Sequence, residues 1–124
     1  MDAEYRFRVT VRLRPRDARV DPDRFDTTMS IPAVAPPEPG WLLFRDRLWR
    51  GKVGDPPTFR RFVRDRLGLG PGVDVVSAEF AELRTDEAYL TALRSAIADD
   101  LGRFNTDSVD AVLNNYLGSS IHVR

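Results

Sequence analysis

Ten consecutive residues near the start of the chain alternate without a break. Tyr5, Phe7, Val9, Val11 and Leu13 are apolar, and Arg6, Arg8, Thr10, Arg12 and Arg14 between them are polar. Strict period two predicts a β-strand with one buried face and one solvated face. Pro15 ends it, since proline cannot donate to a ladder. A polar loop containing Asp21-Pro22-Asp23 follows, and then a second alternation, Phe25, Thr27, Met29 and Ile31. Antiparallel pairing of these two segments is the simplest arrangement.

Four prolines and one glycine between Pro32 and Gly40 predict a stiff, extended connector. Trp41 to Lys52 reads as a third extended segment with apolar residues on both parities, bent by a bulge or tight turn at Arg45-Asp46-Arg47. Asp55 can cap a helix with Pro57 near its first position, carrying Phe59, Phe62, Val63 and Leu67 and ending at Gly68. The Gly68-Leu69-Gly70-Pro71-Gly72 run precedes a strand instead of joining strand to helix, so it is a turn and not a phosphate loop. Val73 to Leu83 reads as a strand, and Thr85 as the cap of a long helix striped by Leu90, Leu93, Ile97, Leu101 and Phe104. Asn105 or Thr106 starts a last helix, and Ile121 and Val123 a short last strand. The expected fold is a single α+β domain over residues 1–124. It has a mostly antiparallel sheet of about four to five strands, with three helices packed on one face.

Composition removes several function classes. The 42% apolar content excludes a disordered chain. The absence of cysteine excludes disulfides, thiolate metal sites and a thiol nucleophile. A single histidine, His122, excludes multi-histidine zinc centres. Trp41-Leu42-Leu43-Phe44 is the longest apolar run, far below the ~18 residues of a membrane span, and the opening residues lack the form of a signal peptide. A soluble cytoplasmic domain with no membrane contact is expected.

No residue set supports catalysis. Gly118-Ser119-Ser120-Ile121-His122 does not match the nucleophile elbow. Asp21, Asp23 and Asp26 lack the glycine and terminal glutamate of a calcium loop. Neither a metal nor a cofactor is expected. Two surfaces carry binding potential instead. Arg6, Arg8, Arg12 and Arg14 project from one strand face at about 7 Å intervals, near phosphate spacing. With Arg60, Arg61, Arg64 and Arg66 they form a possible nucleic-acid contact, although no aromatics interleave them for base stacking. Phe44-Arg45-Asp46-Arg47-Leu48-Trp49-Arg50-Gly51 is the densest mixture of aromatic and arginine residues, the types that dominate interface hot spots. Within it Arg45, Asp46, Trp49 and Arg50 form a candidate interaction unit, with the arginines gathered near the carboxylate.

Charge is divided along the chain. Residues 1–70 hold 15 Arg or Lys against 10 Asp or Glu, and residues 71–124 hold 4 against 9. The halves are opposite in sign and meet either within one fold or between chains.

Leu48-Trp49-Arg50 resembles the signature of the small LWR-salt proteins of halophilic archaea. Glu82 to Tyr89 and Tyr116 to Ile121 are similar to segments of the same group. The resemblance spans nearly the whole chain. It implies a salt-rich cytoplasm, and it brings no established activity and no catalytic residues. Proteins of such a cytoplasm are strongly acidic, whereas this chain is neutral, which implies that its basic surface is covered. At molar salt the Debye length is about 3 Å, so diffuse phosphate attraction fades while apolar burial and bidentate arginine contacts persist. The expected role is therefore a non-enzymatic contact with a protein partner or a second copy, with nucleic-acid binding through the arginine strand as the alternative.

Overall fold

The computed structural model describes residues 1–124. The alternating segment forms β1 (Ala3–Leu13), paired antiparallel with β2 (Arg24–Pro32) on one side and β5 (Val73–Thr85) on the other. A short β6 (Ile121–Val123) adds parallel to the end of β5, giving a mixed, mostly antiparallel sheet of order β2-β1-β5-β6. Four helices lie between the strands: α1 (Leu43–Arg47), α2 (Pro56–Leu67), α3 (Glu87–Ala98) and α4 (Val109–Leu117). A two-stranded hairpin, β3 (Leu48–Trp49) and β4 (Lys52–Val53), separates α1 from α2.

The register explains why β1 alternates cleanly in sequence and β5 does not. Tyr5, Phe7 and Val9 oppose Leu83, Phe80 and Ala78 on the inner face, so Ala81 of β5 falls between partners; a second shift leaves Val76 unmatched. Each extra residue is a bulge that restores the inward phase of β5 without disturbing β1. The inner face and all four helices then share one core, which includes Tyr5, Phe7, Val9, Phe44, Phe59, Leu93, Val112 and Leu117. Phe59 of α2 meets Phe7 at 4.9 Å between ring centroids, placing α2 directly under β1.

Local signals set the helix ends. The Asp55 carboxylate accepts from the Thr58 amide, and Pro56 and Pro57 occupy positions whose N–H groups lack helical partners. Gly68 ends α2 in the left-handed conformation, with its N–H on the Arg64 and Asp65 carbonyls. Ser108 caps α4 by accepting from the Ala111 amide at 3.0 Å.

Four boundaries differ from expectation; one is the start of α4, whose cap is Ser108 and not Asn105 or Thr106. Trp41 to Lys52 is not one strand but a helical turn followed by half of a hairpin, and Arg45-Asp46-Arg47 lie in α1. Its buried residues Trp41, Phe44 and Leu48 are spaced three and four apart, which is helical spacing. Asp86, not Thr85, caps α3. Thr85 is the last, buried residue of β5, and the Asp86 carboxylate accepts from the Tyr89 amide at 2.7 Å. The expected long helix stops at Ala98, and Leu101–Phe104 forms a separate 3-10 turn; the buried stripe of α3 is Tyr89, Leu93 and Ile97, with Leu90 half-buried.

Candidate functional site

Arg50 and Gly51 form the two-residue turn of the β3–β4 hairpin, with φ of 53° and 74°. Positive φ at both central positions marks a turn whose twist matches that of antiparallel strands. Gly51 adopts this conformation freely; Arg50 does so under constraint. The constraint comes from α4. A helix leaves its last four carbonyls without helical partners, and in α4 all four are taken. Asn114 accepts from Gly118 at 3.1 Å, Asn115 from Arg50 at 2.6 Å, Tyr116 from Gly51 at 3.0 Å, and Leu117 from Ser120 at 3.3 Å. The hairpin turn thus supplies half of the C-terminal cap of a helix more than sixty residues later in the chain. The contact is close: a Cβ on Gly51 would lie 3.3 Å from the Leu117 carbonyl oxygen, and one on Gly118 3.5 Å from the Arg50 carbonyl.

The three residues of the Leu48-Trp49-Arg50 motif divide the work. Leu48 is 3% exposed and belongs to the core. Trp49 is 48% exposed, and its ring meets Tyr116 edge-on at 5.3 Å. The Arg50 guanidinium lies over the Trp49 ring at 5.8 Å from the centroid. Tyr116 in turn meets buried Phe44 at 5.8 Å, and Phe44 stacks on Phe104. An aromatic series therefore runs from the core to the surface and ends in Trp49, half in solvent and held from behind.

Arg45 and Asp46 pair with each other at 3.2 Å on the exposed side of α1. Arg47 and Arg50 do not join that carboxylate. Arg47 lies over Phe62 at 5.3 Å, and Arg50 goes to Trp49. The expected four-residue unit is thus two adjacent pairs. Tyr116, which completes the aromatic platform, enters the sequence reading only as the first residue of the Tyr116–Ile121 segment.

The arginine face of β1 is largely neutralised from within. Arg6 pairs with Glu4 at 3.0 Å and Glu82 at 3.8 Å, Arg12 with Asp23 at 3.2 Å, and Arg14 with Asp74. Arg8 alone of the four makes no ion pair and stays exposed opposite Glu79. The two oppositely charged halves meet partly within the fold, since Glu82 and Asp74 belong to the acidic half. His122 stands on β6 beside Glu82, at 2.5 Å from its carboxylate. No group of three or more His, Asp or Glu side chains is arranged to hold a metal ion, and no helix is long and apolar enough to cross a membrane.

Of the segments that carry the resemblance, Leu48-Trp49-Arg50 and Tyr116–Ile121 meet here, and Glu82–Tyr89 follows along the β5–β6 pairing. The hairpin turn docks on Asn115 and Tyr116, Ser120 accepts the Leu83 amide through its carbonyl at 2.8 Å, and Asp86 caps α3 beside them. A family model described as LWR-salt protein matches residues 1–124. No curated protein and no solved structure matches the chain.

Proposed function

Given that the chain belongs to the LWR-salt protein family along its full length, we propose that it is a non-enzymatic protein–protein interaction module whose contact is the Trp49–Arg50 patch, working in a salt-rich cytoplasm. The observation that carries this reading is the placement of Trp49. It is half-exposed on a backbone that is fixed by two hydrogen bonds to α4, with Tyr116 behind it and Arg50 beside it. A large rigid aromatic presented this way loses little conformational freedom on contact, which is the property of hot-spot residues. Apolar burial also tolerates molar salt, where loose charge attraction does not. The arginine strand supports nucleic-acid binding less, because Arg6, Arg12 and Arg14 already have carboxylate partners.

Trp49→Ala and Arg50→Ala test the proposal when melting and assembly are measured together at molar salt. Light scattering follows self-association, and pulldown from host extract follows a different partner. The expected result for Trp49→Ala is a stability loss of about 1 kcal/mol, the size of one aromatic edge contact, with loss of the dimer or partner. A fall of about 3–5 kcal/mol with assembly unchanged would make the tryptophan a packing residue and overturn the reading.

A further inference from the structure

β6 pairs with β5 only over Leu83–Thr85, so the stretch of β5 from Val73 to Glu82 has no strand on its outer edge. Two adjoining clefts reach β5, the first of them at that edge. One, of about 560 Å³, lies between the β3–β4 hairpin and Ser77–Phe80. The other, of about 600 Å³, runs across the strands from Arg24 of β2 and Arg12 of β1 to Asp74–Val76 and the start of α2, and Arg60 borders both.

The second cleft collects positive charge. Arg12, Arg24, Arg60, Arg61 and Arg64 line it with a single carboxylate, Asp74, which Arg14 already holds. Arg12 and Arg24 are direct partners in the β1–β2 register, and like charges in that position destabilise a sheet. Arg12 has Asp23 as relief, whereas Arg24, Arg60 and Arg61 make no ion pair. Arg64 is held in place by donating to the Gly70 and Val73 carbonyls, at 2.7 and 2.5 Å. Arg60 and Arg61 of α2 border β5 itself, with Lys52 facing the same edge from the hairpin, whereas Arg12 and Arg24 lie across the sheet on β1 and β2, on the side away from the free edge.

We infer that this edge is a docking site for an extended acidic segment of a partner protein, which adds as a strand beside Asp74–Phe80 and sets its carboxylates against Lys52, Arg60 and Arg61. Strand addition supplies main-chain hydrogen bonds, and side chains at every second position supply selectivity. The stretch from Asp74 to Phe80 matches about seven residues of extended peptide, roughly 23 Å. Val76, exposed at a bulge, offers an apolar contact midway. A second copy fits poorly, since Asp99, Asp100, Asp107 and Asp110 lie around helix ends and not in an extended segment. Single-stranded nucleic acid also fits poorly, because the one aromatic residue lining the clefts, Phe80, is buried and gives bases no platform. The cleft shares the β3–β4 hairpin with the Trp49 patch, but Trp49, Arg50 and Tyr116 do not line it, so different variants test the two.

Fluorescence anisotropy with a labelled alternating Glu-Val decapeptide tests the inference on the full chain. The comparison probes are a peptide of equal charge interrupted by prolines and a ten-residue oligothymidylate. The expected result is binding of the Glu-Val peptide, about tenfold weaker for the proline peptide and about tenfold weaker in Arg60→Glu/Arg61→Glu. Slowed amide exchange along Val75–Glu79 should accompany it. Lys52→Glu, on a different element facing the same edge, gives the same readout if the double variant does not fold. Equal binding of the proline peptide would reduce the site to unspecific charge attraction. Tighter binding of the oligonucleotide, or no binding of any probe, would overturn the inference outright.

Discussion

Two tyrosines a few ångströms into the same core show how much depends on one hydroxyl partner. Tyr89 donates its hydroxyl to the Val34 carbonyl at 3.0 Å, tying α3 to the proline-rich connector, and burial pushes its pKa up to about 12. Tyr5 is 1% exposed and its oxygen has no partner; the Phe44 backbone approaches it without reaching hydrogen-bond geometry. Burial, with Tyr89 nearby, holds that phenol far above its ordinary range. A buried hydroxyl with no partner costs about 1–3 kcal/mol of desolvation. Tyr5→Phe removes the polar atom and keeps the ring, so it should stabilise the protein by about 1 kcal/mol and raise the melting temperature by several degrees. An unchanged or lowered melting temperature would mean that the oxygen finds a partner in solution.

Among the elements, the docking of the β3–β4 turn onto α4 depends on glycine at two places. Gly118 has φ 62° and ψ −141°, near a region that only glycine occupies readily. Gly118→Ala should cost on the order of 1–3 kcal/mol and expose the Arg50 and Gly51 amides to exchange. Gly70→Ala, where a Cβ would meet nothing within 4 Å, should leave melting and exchange nearly unchanged and so serves as the control. The elements also show what could be read in advance. β1 was legible because its alternation is unbroken, the bulges being carried by β5. The caps at Asp55 and Gly68 were legible because they act over three or four residues. The segment from Trp41 to Leu48 was misread because a one-turn helix gives only two or three apolar positions, too few to separate period 3.6 from period two with a bend. The capping of α4 by Arg50 and Gly51 had no readable signal. It is made by backbone amides meeting distant backbone carbonyls, and side-chain patterns do not encode such pairs. Trp49 and Arg50 were visible as residue types, whereas their support by Tyr116 required the fold.

At the scale of the whole molecule, Asp86 joins the beginning of the chain to its middle. Its carboxylate accepts from the Tyr89 amide at 2.7 Å and the Asp2 amide at 2.8 Å, and its own amide donates to the Asp2 carbonyl at 2.9 Å. The terminal amine lies 3.7 Å away, and one residue earlier Thr85 accepts the Arg124 amide. These donors, the Tyr89 amide foremost, hold the Asp86 carboxyl below its usual range, and Thr58 does the same for Asp55 at the start of α2. A folded-state pKa below the unfolded value means that the unfolded chain takes up the proton first as pH falls. The stabilisation is therefore complete above the ordinary carboxylate range, near pH 4, and is lost progressively as pH drops through the lowered pKa. Thermal melts between pH 6 and pH 2 should show this loss, with a shallower acid slope in Asp86→Asn. Parallel slopes for the two proteins would show that the clasp does not contribute.

The bulges at Val76 and Ala81 have a consequence for how crowded copies of the chain behave. A flat, regular strand edge templates its own kind, and stacked identical edges lead to cross-β fibres. Here the edge of β5 is kinked twice, so a second β5 cannot follow it in register for more than a few residues. Edge-to-edge stacking would also bring one set of Arg60 and Arg61 guanidiniums against another. The irregularity that hid this strand's pattern in the sequence thus acts as a gatekeeper, leaving the edge open to a strand of opposite charge while discouraging self-templated aggregation.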